Sequence, residues 1–526
     1  MNRIPQIEVL KSLGDIVGED HVSARPPDLV AYSGDFWPRQ QIWKMGGEVE
    51  RHNPTCVTWP ANEKELRKLV AHCAENRIPV IPYGGGSGVC GGTLPIRGGV
   101  VVDMKRLDSI LEVDSESLKV RAQTGILGQH LEDSLNRSGL TLGHFPSSIM
   151  CSTLGGWIAT RSAGQMSSRY GKIEDMVESV RVVTGEGKSL DTGRRCPGEP
   201  DWTQVLLGSE GTLGLLTEAT LRVHRVPQRR WLRGYRFHHL SDGIQAMRQL
   251  MQNGVRPCVL RLYDPFDSLI ALRSAGQSAA THEDAGGSPI GQLARRGAEF
   301  AQHALTRASR RAICTSLTLP GVVNRVADLA PTNCLMIIGF EGSTDLVEAQ
   351  VASARRTLAR TDAMDAGRQP GENWLANRYQ MAFRQSEVFG SGAFSDTMEV
   401  STTWDRVERL YARVREATSP HAFVMAHFSH AYRTGCGVYF TFVGYRQGAG
   451  RTEALYDRVW SAAMEAVQEV GATISHHHGV GLLKRESMPY QHGAMANVWH
   501  VLKESMDPRG IMNPGKLFPD RERGTT

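Results

Sequence analysis

The chain has 526 residues, 40% of them hydrophobic and 22% charged, with a formal net charge of +5. That length exceeds one core, so two or three domains are expected. So mild a charge gives no argument for a nucleic-acid partner; it suits an anionic substrate or cofactor, or weak attraction to anionic lipid.

Residues 1–51 read as an N-terminal segment, a helical pattern (IEVLKSLGDIVG) followed by an aromatic, proline-punctuated loop (FWPRQQIW). The opening residues hold no apolar run of the kind a secretory signal needs, and no apolar run approaches a membrane span. Residues 52–227 then alternate strand and helix. PTCVTWPAN is strand and turn. EKELRKLVAHCAENR is an amphipathic helix with Leu66, Leu69, Val70 and Cys73 on one face. IPVIPYG is a short buried strand running into glycines, and GVVVDMKRL and SLKVRAQTG are further strands. ILGQHLEDSLNRSG is a helix closed by Gly139. VESVRVVTGEGKSL reads as a hairpin and GLLTEATLRVHRV as a strand.

The second half, 228–450, changes character. GYRFHHLSDGIQAMRQLMQNG and CLMIIGFEGS with DLVEAQVASARRTLAR each give a strand and then a helix. CGVYFTFVGY with ALYDRVWSAAMEAVQEVG repeats the design. Such units predict an antiparallel sheet with helices packed on one face. Residues 273–311, loop-like and then basic and helical, read as a solvated surface helix, with a lid or membrane-facing segment as the sharper alternative. Residues 451–526 form a C-terminal helical segment with the run SHHHGVG. The nine cysteines include no C-x-x-C pair, which predicts reduced thiols in a cytoplasmic protein. The ending ERGTT carries no recognisable targeting address.

Three glycine-rich stretches fall in the first domain: PYGGGSGVCGG at 82–92, STLGGWIATRSAGQMSSRYGKIEDMV at 152–177 and LLGSEGTLGLLTEATL at 206–221. Glycine lets a backbone turn tightly and turn its N–H groups towards an anion. The first stretch is neither a Walker loop nor a Rossmann fingerprint. Together the three point to one large, phosphate-bearing ligand.

These segments resemble the FAD-binding domain of the vanillyl-alcohol oxidase/PCMH flavoprotein superfamily. The resemblance implies an α+β fold, with a two-subdomain FAD-binding domain followed by a cap domain whose antiparallel sheet is covered by helices. It implies that Pro82, Tyr83, Gly84, Gly85, Gly86, Ser87 and Gly88 hold the FAD pyrophosphate. Ser147, Ser148, Ile149, Met150, Cys151, Ser152 and Thr153 would line the rest of the cofactor, with Thr160, Arg161, Ser162 and Ala163. Glu210, Gly211, Thr212, Leu213, Gly214, Leu215 and Leu216 would complete the site. Some relatives attach FAD through a histidine in the first loop. That loop has none here, so non-covalent FAD is implied.

His476, His477 and His478 stand together before Gly479 and Gly481. Three adjacent imidazoles suit a metal, a pH switch or proton transfer. One branch of the superfamily, the D-2-hydroxy-acid dehydrogenases, has metal-binding members whose pattern resembles G-H-x-G-D-G-N-x-H with a later E-H-G-[IV]-G. Here AHFSHAYRTGCGVYF and SHHHGVG keep His427 and His478, but Tyr439 stands at a ligand histidine and His477 at the ligand glutamate. A metal site should not survive those changes well, although His427 and His430 beside the histidine run leave a zinc reading open.

The combination of TRSAGQMSSRYGKIEDMV, CGVYFTF and SHHHGVGLLK resembles a second branch, the alkyldihydroxyacetonephosphate synthase family, over roughly residues 50–520. That resemblance implies exchange of the acyl group of acyl-dihydroxyacetone phosphate for a fatty alcohol through a flavin N5 adduct. It implies catalytic roles for Tyr439 and His477, and substrate recognition by Arg261 and Arg384; the flanking His476 and His478 are expected to orient His477 by limiting its rotamers. The expected partners are a small-molecule or lipid-like anionic substrate, a second copy in a homodimer and a membrane surface touched peripherally, with no nucleic acid. The ending NPGKLFP is shared with 2-hydroxy-acid oxidoreductases, so an FAD-linked oxidase or dehydrogenase of a D-2-hydroxy acid or related alcohol is the alternative.

Overall fold

The computed structural model describes residues 5–49, 51–193, 198–277, 314–328, 333–380 and 385–519. They form two units. The first comprises Met1–Gln40, Gly47–Gln228 and Thr473–Thr526; the second comprises Gln41–Gly46 and Arg229–Ala472.

The first unit holds two sheets. In the smaller, Cys56–Thr58, Val100–Asp103 and Val80–Tyr83 run parallel, and Val22–Ser23 adds an antiparallel edge. The helix Glu63–Glu75 connects two of these strands. Asn62 caps it by accepting the Glu65 amide, while the Glu65 carboxylate accepts the Ala61 amide. Its apolar face, Leu66, Leu69, Val70 and Cys73, is buried as the periodicity predicts. The larger sheet is antiparallel, in the order Ile110–Asp114, Lys119–Gln123, Leu215–Arg222, Val177–Val183, Ser189–Asp191. The last pair is the expected hairpin.

The C-terminal segment completes the small sheet. Val80 donates to Ile511 O at 2.8 Å and Asn513 donates to Val80 O at 2.8 Å. Ile511 and Met512 lie in the same apolar core as the helix Glu63–Glu75.

The second unit is one seven-stranded sheet, antiparallel throughout. Its order is Met364–Gly367, Arg229–Phe237, Cys334–Gly342, Val259–Tyr263, Phe423–Ala431, Gly435–Gly444, Phe394–Thr403. The strand Cys334–Gly342 is buried at all nine positions, so neither face is left to solvent there. The expectation of helices on one face is therefore incomplete at this strand, whose continuous apolar run Cys-Leu-Met-Ile-Ile has no polar alternation.

Two further differences stand out. FWPRQQIW contains a helix, Pro38–Met45, rather than loop alone. Pro38 is its first residue, where a missing N–H leaves no hydrogen bond unmade. The helix Ala449–Val470, grouped with the C-terminal segment in the reading of the sequence, clusters with the second unit, whose boundary falls at Ala472. Of the stretch 273–311, residues 278–311 lie outside the described residues. No helix among the described residues is long and apolar enough to cross a membrane.

Asp396 ties the helix Ala449–Val470 to the edge strand Phe394–Thr403. Its buried Oδ2 accepts Tyr456 Oη at 2.6 Å and Trp460 Nε1 at 2.9 Å. Asp396→Ala leaves two buried donors without that acceptor. It should destabilise the protein by about 2–5 kcal/mol, read as a lower Tm and denaturation midpoint; an unchanged Tm would show the tie to be dispensable.

Candidate functional site

The first glycine stretch leaves the strand Val80–Tyr83 and lies directly on the segment 147–153. A Cβ on Gly85 would sit 1.7 Å from Cys151 O, and one on Gly84 would sit 2.3 Å from Thr153 Oγ1. Only glycine permits that approach. Across the loop, a Cβ on Gly211 would meet Pro82 Cγ at 2.2 Å, and Glu210 N donates to Ala159 O at 3.1 Å. Thus all four segments singled out in the sequence, 82–88, 147–153, 160–163 and 210–216, meet in the first unit. Lys105 Nζ donates to Gly84 O at 2.8 Å and lies 5.2 Å from the Tyr83 ring centroid. None of the amide N–H groups of Gly84 to Gly88 donates to another described residue. Lys105 Nζ also pairs with buried Asp103 at 2.6 Å, so it is the run of amides that suits an anion.

Not every side chain in these segments faces a ligand. Arg161, in the left-handed region at φ 53°, donates to Gln204 O at 2.7 Å and pairs with Glu174 at 3.2 Å. Ser162 Oγ lies 3.3 Å from Nε2 of buried His144, whose ring packs on Trp157 at 4.6 Å. Burial alone pushes His144 down to about 3, so it stays neutral. Leu213 and Leu215 are core residues, whereas Met150 is exposed.

The Glu210 carboxylate turns towards the histidine run. Its Oε1 accepts the Val480 amide at 2.6 Å, and its Oε2 accepts the Gly481 amide at 2.8 Å. Within the run, His476 Nδ1 and His477 Nδ1 are 3.0 Å apart, so one must donate and the other accept. The rings of His476 and His477 meet edge to face, as do those of His477 and His478. Lys172 Nζ, from the second glycine stretch, reaches His476 O at 3.4 Å. The histidine loop thus stands against the same loops that form the glycine cradle.

The second unit has its own cluster on the middle strands of its sheet. Tyr263, His427 and Tyr439 are cross-strand neighbours in register. The His427 ring stacks on Tyr439, with centroids 4.6 Å apart and 16° between planes. Its Nε2 meets Arg261 Nη2, and its Nδ1 lies 3.1 Å from Asp267 Oδ2. Burial and the neighbouring guanidinium hold His427 well below the usual histidine range. The ring is therefore neutral. Arg261 can only donate, so Nε2 accepts and Nδ1–H donates to Asp267. Burial pushes the Tyr439 phenol up to about 12, with the Thr397 hydrogen bond and Arg261 opposing. It therefore keeps its proton throughout the neutral range.

Asp267 was not singled out in the sequence, nor was His427 expected as a partner of Arg261. A signal was present in DPFD. Asp264 accepts the Asp267 amide at 2.9 Å at the start of the helix Pro265–Gln277, the pattern of an acidic cap followed by proline. That cap sets Asp267 in the first turn. Arg384 lies outside the described residues.

Comparison with known proteins gives this geometry its family. The model of an FAD binding domain matches residues 54–193, and that of the FAD linked oxidases' C-terminal domain matches 226–517. An alkyldihydroxyacetonephosphate synthase of Dictyostelium discoideum is 31% identical over 90% of this chain and 74% of its own. A mitochondrial D-lactate dehydrogenase [cytochrome] of Arabidopsis thaliana is 25% identical over 89% of this chain and 74% of its own. Among solved structures, an alkyldihydroxyacetonephosphate synthase superposes with TM-score 0.76 at 26% identity, covering 98% of this chain and 86% of the other. A p-cresol methylhydroxylase shares the fold, with TM-score 0.67 at 14% identity over 98% and 97% of the two chains. FAD is thus the cofactor, and the glycine cradle with its undirected amides fits a pyrophosphate.

Gly85→Ala should weaken FAD retention about tenfold or more, because the added methyl meets a backbone carbonyl that cannot rotate away. The check is flavin absorbance per mole of purified protein; parental occupancy would remove the loop from the cofactor site. The cradle, the two matched domains and the relatives agree: the chain belongs to the FAD-linked oxidase family and is an FAD-dependent enzyme of the alkyldihydroxyacetonephosphate synthase type.

Proposed function

We propose that this enzyme exchanges the acyl group of an acyl-dihydroxyacetone phosphate for a fatty alcohol, the ether-forming step of ether lipid synthesis. The observation that carries the reading is the Tyr439–His427 stack. Tyr439 occupies the place of a ligand histidine in the metal-binding hydroxy-acid pattern, and both ring nitrogens of His427 already have partners in Asp267 and Arg261. A ring so engaged has no lone pair left for a cation. What remains is a protonated phenol beside an arginine, an arrangement suited to an anionic substrate.

The roles follow from the chemistry of the groups. His477 takes the proton from the substrate carbon next to the carbonyl, and its Nδ1 contact with His476 holds it in one orientation. Tyr439 donates to the oxygen that gains negative charge as the carboxylate leaves. Arg261, fixed from behind by His427, receives the phosphate. Bound FAD supplies an electron-poor ring able to accept an electron pair from a deprotonated carbon and return it, with no net oxidation. The first loop has no histidine to carry a covalent bond, so the cofactor is held without one.

His477→Ala and Tyr439→Phe should each lower turnover on the order of 10²-fold, with FAD content unchanged. Near-parental turnover in either would remove that residue from the chemistry. Anaerobic mixing with acyl-dihydroxyacetone phosphate and a fatty alcohol should yield ether product without bleaching the flavin. Bleaching by a D-2-hydroxy acid, with no exchange, would instead mark an oxidoreductase. Acid precipitation should release all the yellow colour into the supernatant; colour retained in the pellet would overturn the non-covalent assignment.

A further inference from the structure

We infer that Glu210 is a positioning residue for the histidine loop: its carboxylate clamps the backbone just after His478 and so sets where His477 points. The inference rests on the assignment of His477 as the proton acceptor. Glu210 sits in the glycine stretch 206–221, yet its two oxygens go to Val480 N at 2.6 Å and Gly481 N at 2.8 Å. A bidentate carboxylate spanning two consecutive amides fixes both the height and the tilt of the peptide between them.

The clamp is itself held rigidly. Glu210 has a left-handed backbone, φ 49°, its N–H is taken by Ala159 O at 3.1 Å, and its carbonyl accepts Asn513 Nδ2 at 2.7 Å. On the other side of the loop, Leu482 N donates to Cys90 O at 2.9 Å. No slack is left between the two supports. A Cβ on Gly479 would lie 2.8 Å from Glu210 Oε1, and one on Gly481 would lie 2.2 Å from Cys90 O. Burial pushes the carboxyl up to about 7, while the two amides, Lys484 and Lys516 favour its ionised form. Its oxygens are thus engaged by the loop and its surroundings.

Glu210→Gln keeps the shape but leaves one oxygen to accept and sets an NH2 group against the other amide. In the FAD-loaded protein, hydrogen–deuterium exchange across 476–483 should rise by at least about tenfold. Turnover should fall at least about tenfold with KM within about twofold, and FAD content should hold. Parental exchange in that segment would overturn the clamp, as would loss of FAD with the loop still protected. Should the variant not fold, Gly479→Ala is expected to raise the same exchange, and parental protection there would also overturn the inference. His477→Ala separates the two claims: parental turnover in that variant refutes the role of His477, while the exchange measurement on Glu210→Gln still decides the clamp.

Discussion

A carboxylate buried in a protein must find donors or give up its charge, and Glu210 finds them in two consecutive amides. The loops that meet at Glu210 are arranged around that requirement. The loop that supplies the amides must pass close enough that its residue 479 can only be glycine without a shift. The segment that supplies the carboxylate must turn through a left-handed residue. Asn513 bridges Glu210 O and Gly92 O, linking the third glycine stretch to the first. Stretches far apart in the chain thus become one surface because their polar groups have nowhere else to go.

The second unit solves a similar problem with a neutral ring. Asp267 accepts from His427, His427 accepts from Arg261, and the Tyr439 ring covers the imidazole face. Each member limits the rotamers of the next, and the sheet register that pairs His427 with Tyr439 makes the stack a property of the backbone. In the sequence, His427 survives from the metal-binding pattern and, with His430, leaves a zinc reading open. In the fold it is the middle of a hydrogen-bonded chain.

Local pattern made much of this legible. The helix Glu63–Glu75, the hairpin Val177–Val183 with Ser189–Asp191 and the strand Cys334–Gly342 all follow from periodicity and turn chemistry. The strands Val259–Tyr263, Phe394–Thr403 and Phe423–Ala431 were not picked out, because their apolar residues are interrupted by Arg261, Glu399 and His427, of which Arg261 and His427 belong to the cluster beside Tyr439. Three glycine-rich stretches were recognisable by composition, and the segment 147–153 by resemblance. The partners of Glu210 were not, since no local rule links residue 210 to residues 480 and 481.

The threading of the chain has a consequence for biosynthesis. The first unit takes its pieces from both ends of the sequence, and residues 229–472 intervene. Val80, in the small sheet, waits for Ile511 and Asn513 to supply its remaining backbone partners. During translation the seven-stranded sheet is therefore fully synthesised first. Until the last segment leaves the ribosome, the flanking edge of the small sheet stays unsatisfied, an open strand edge of the kind that invites wrong pairing.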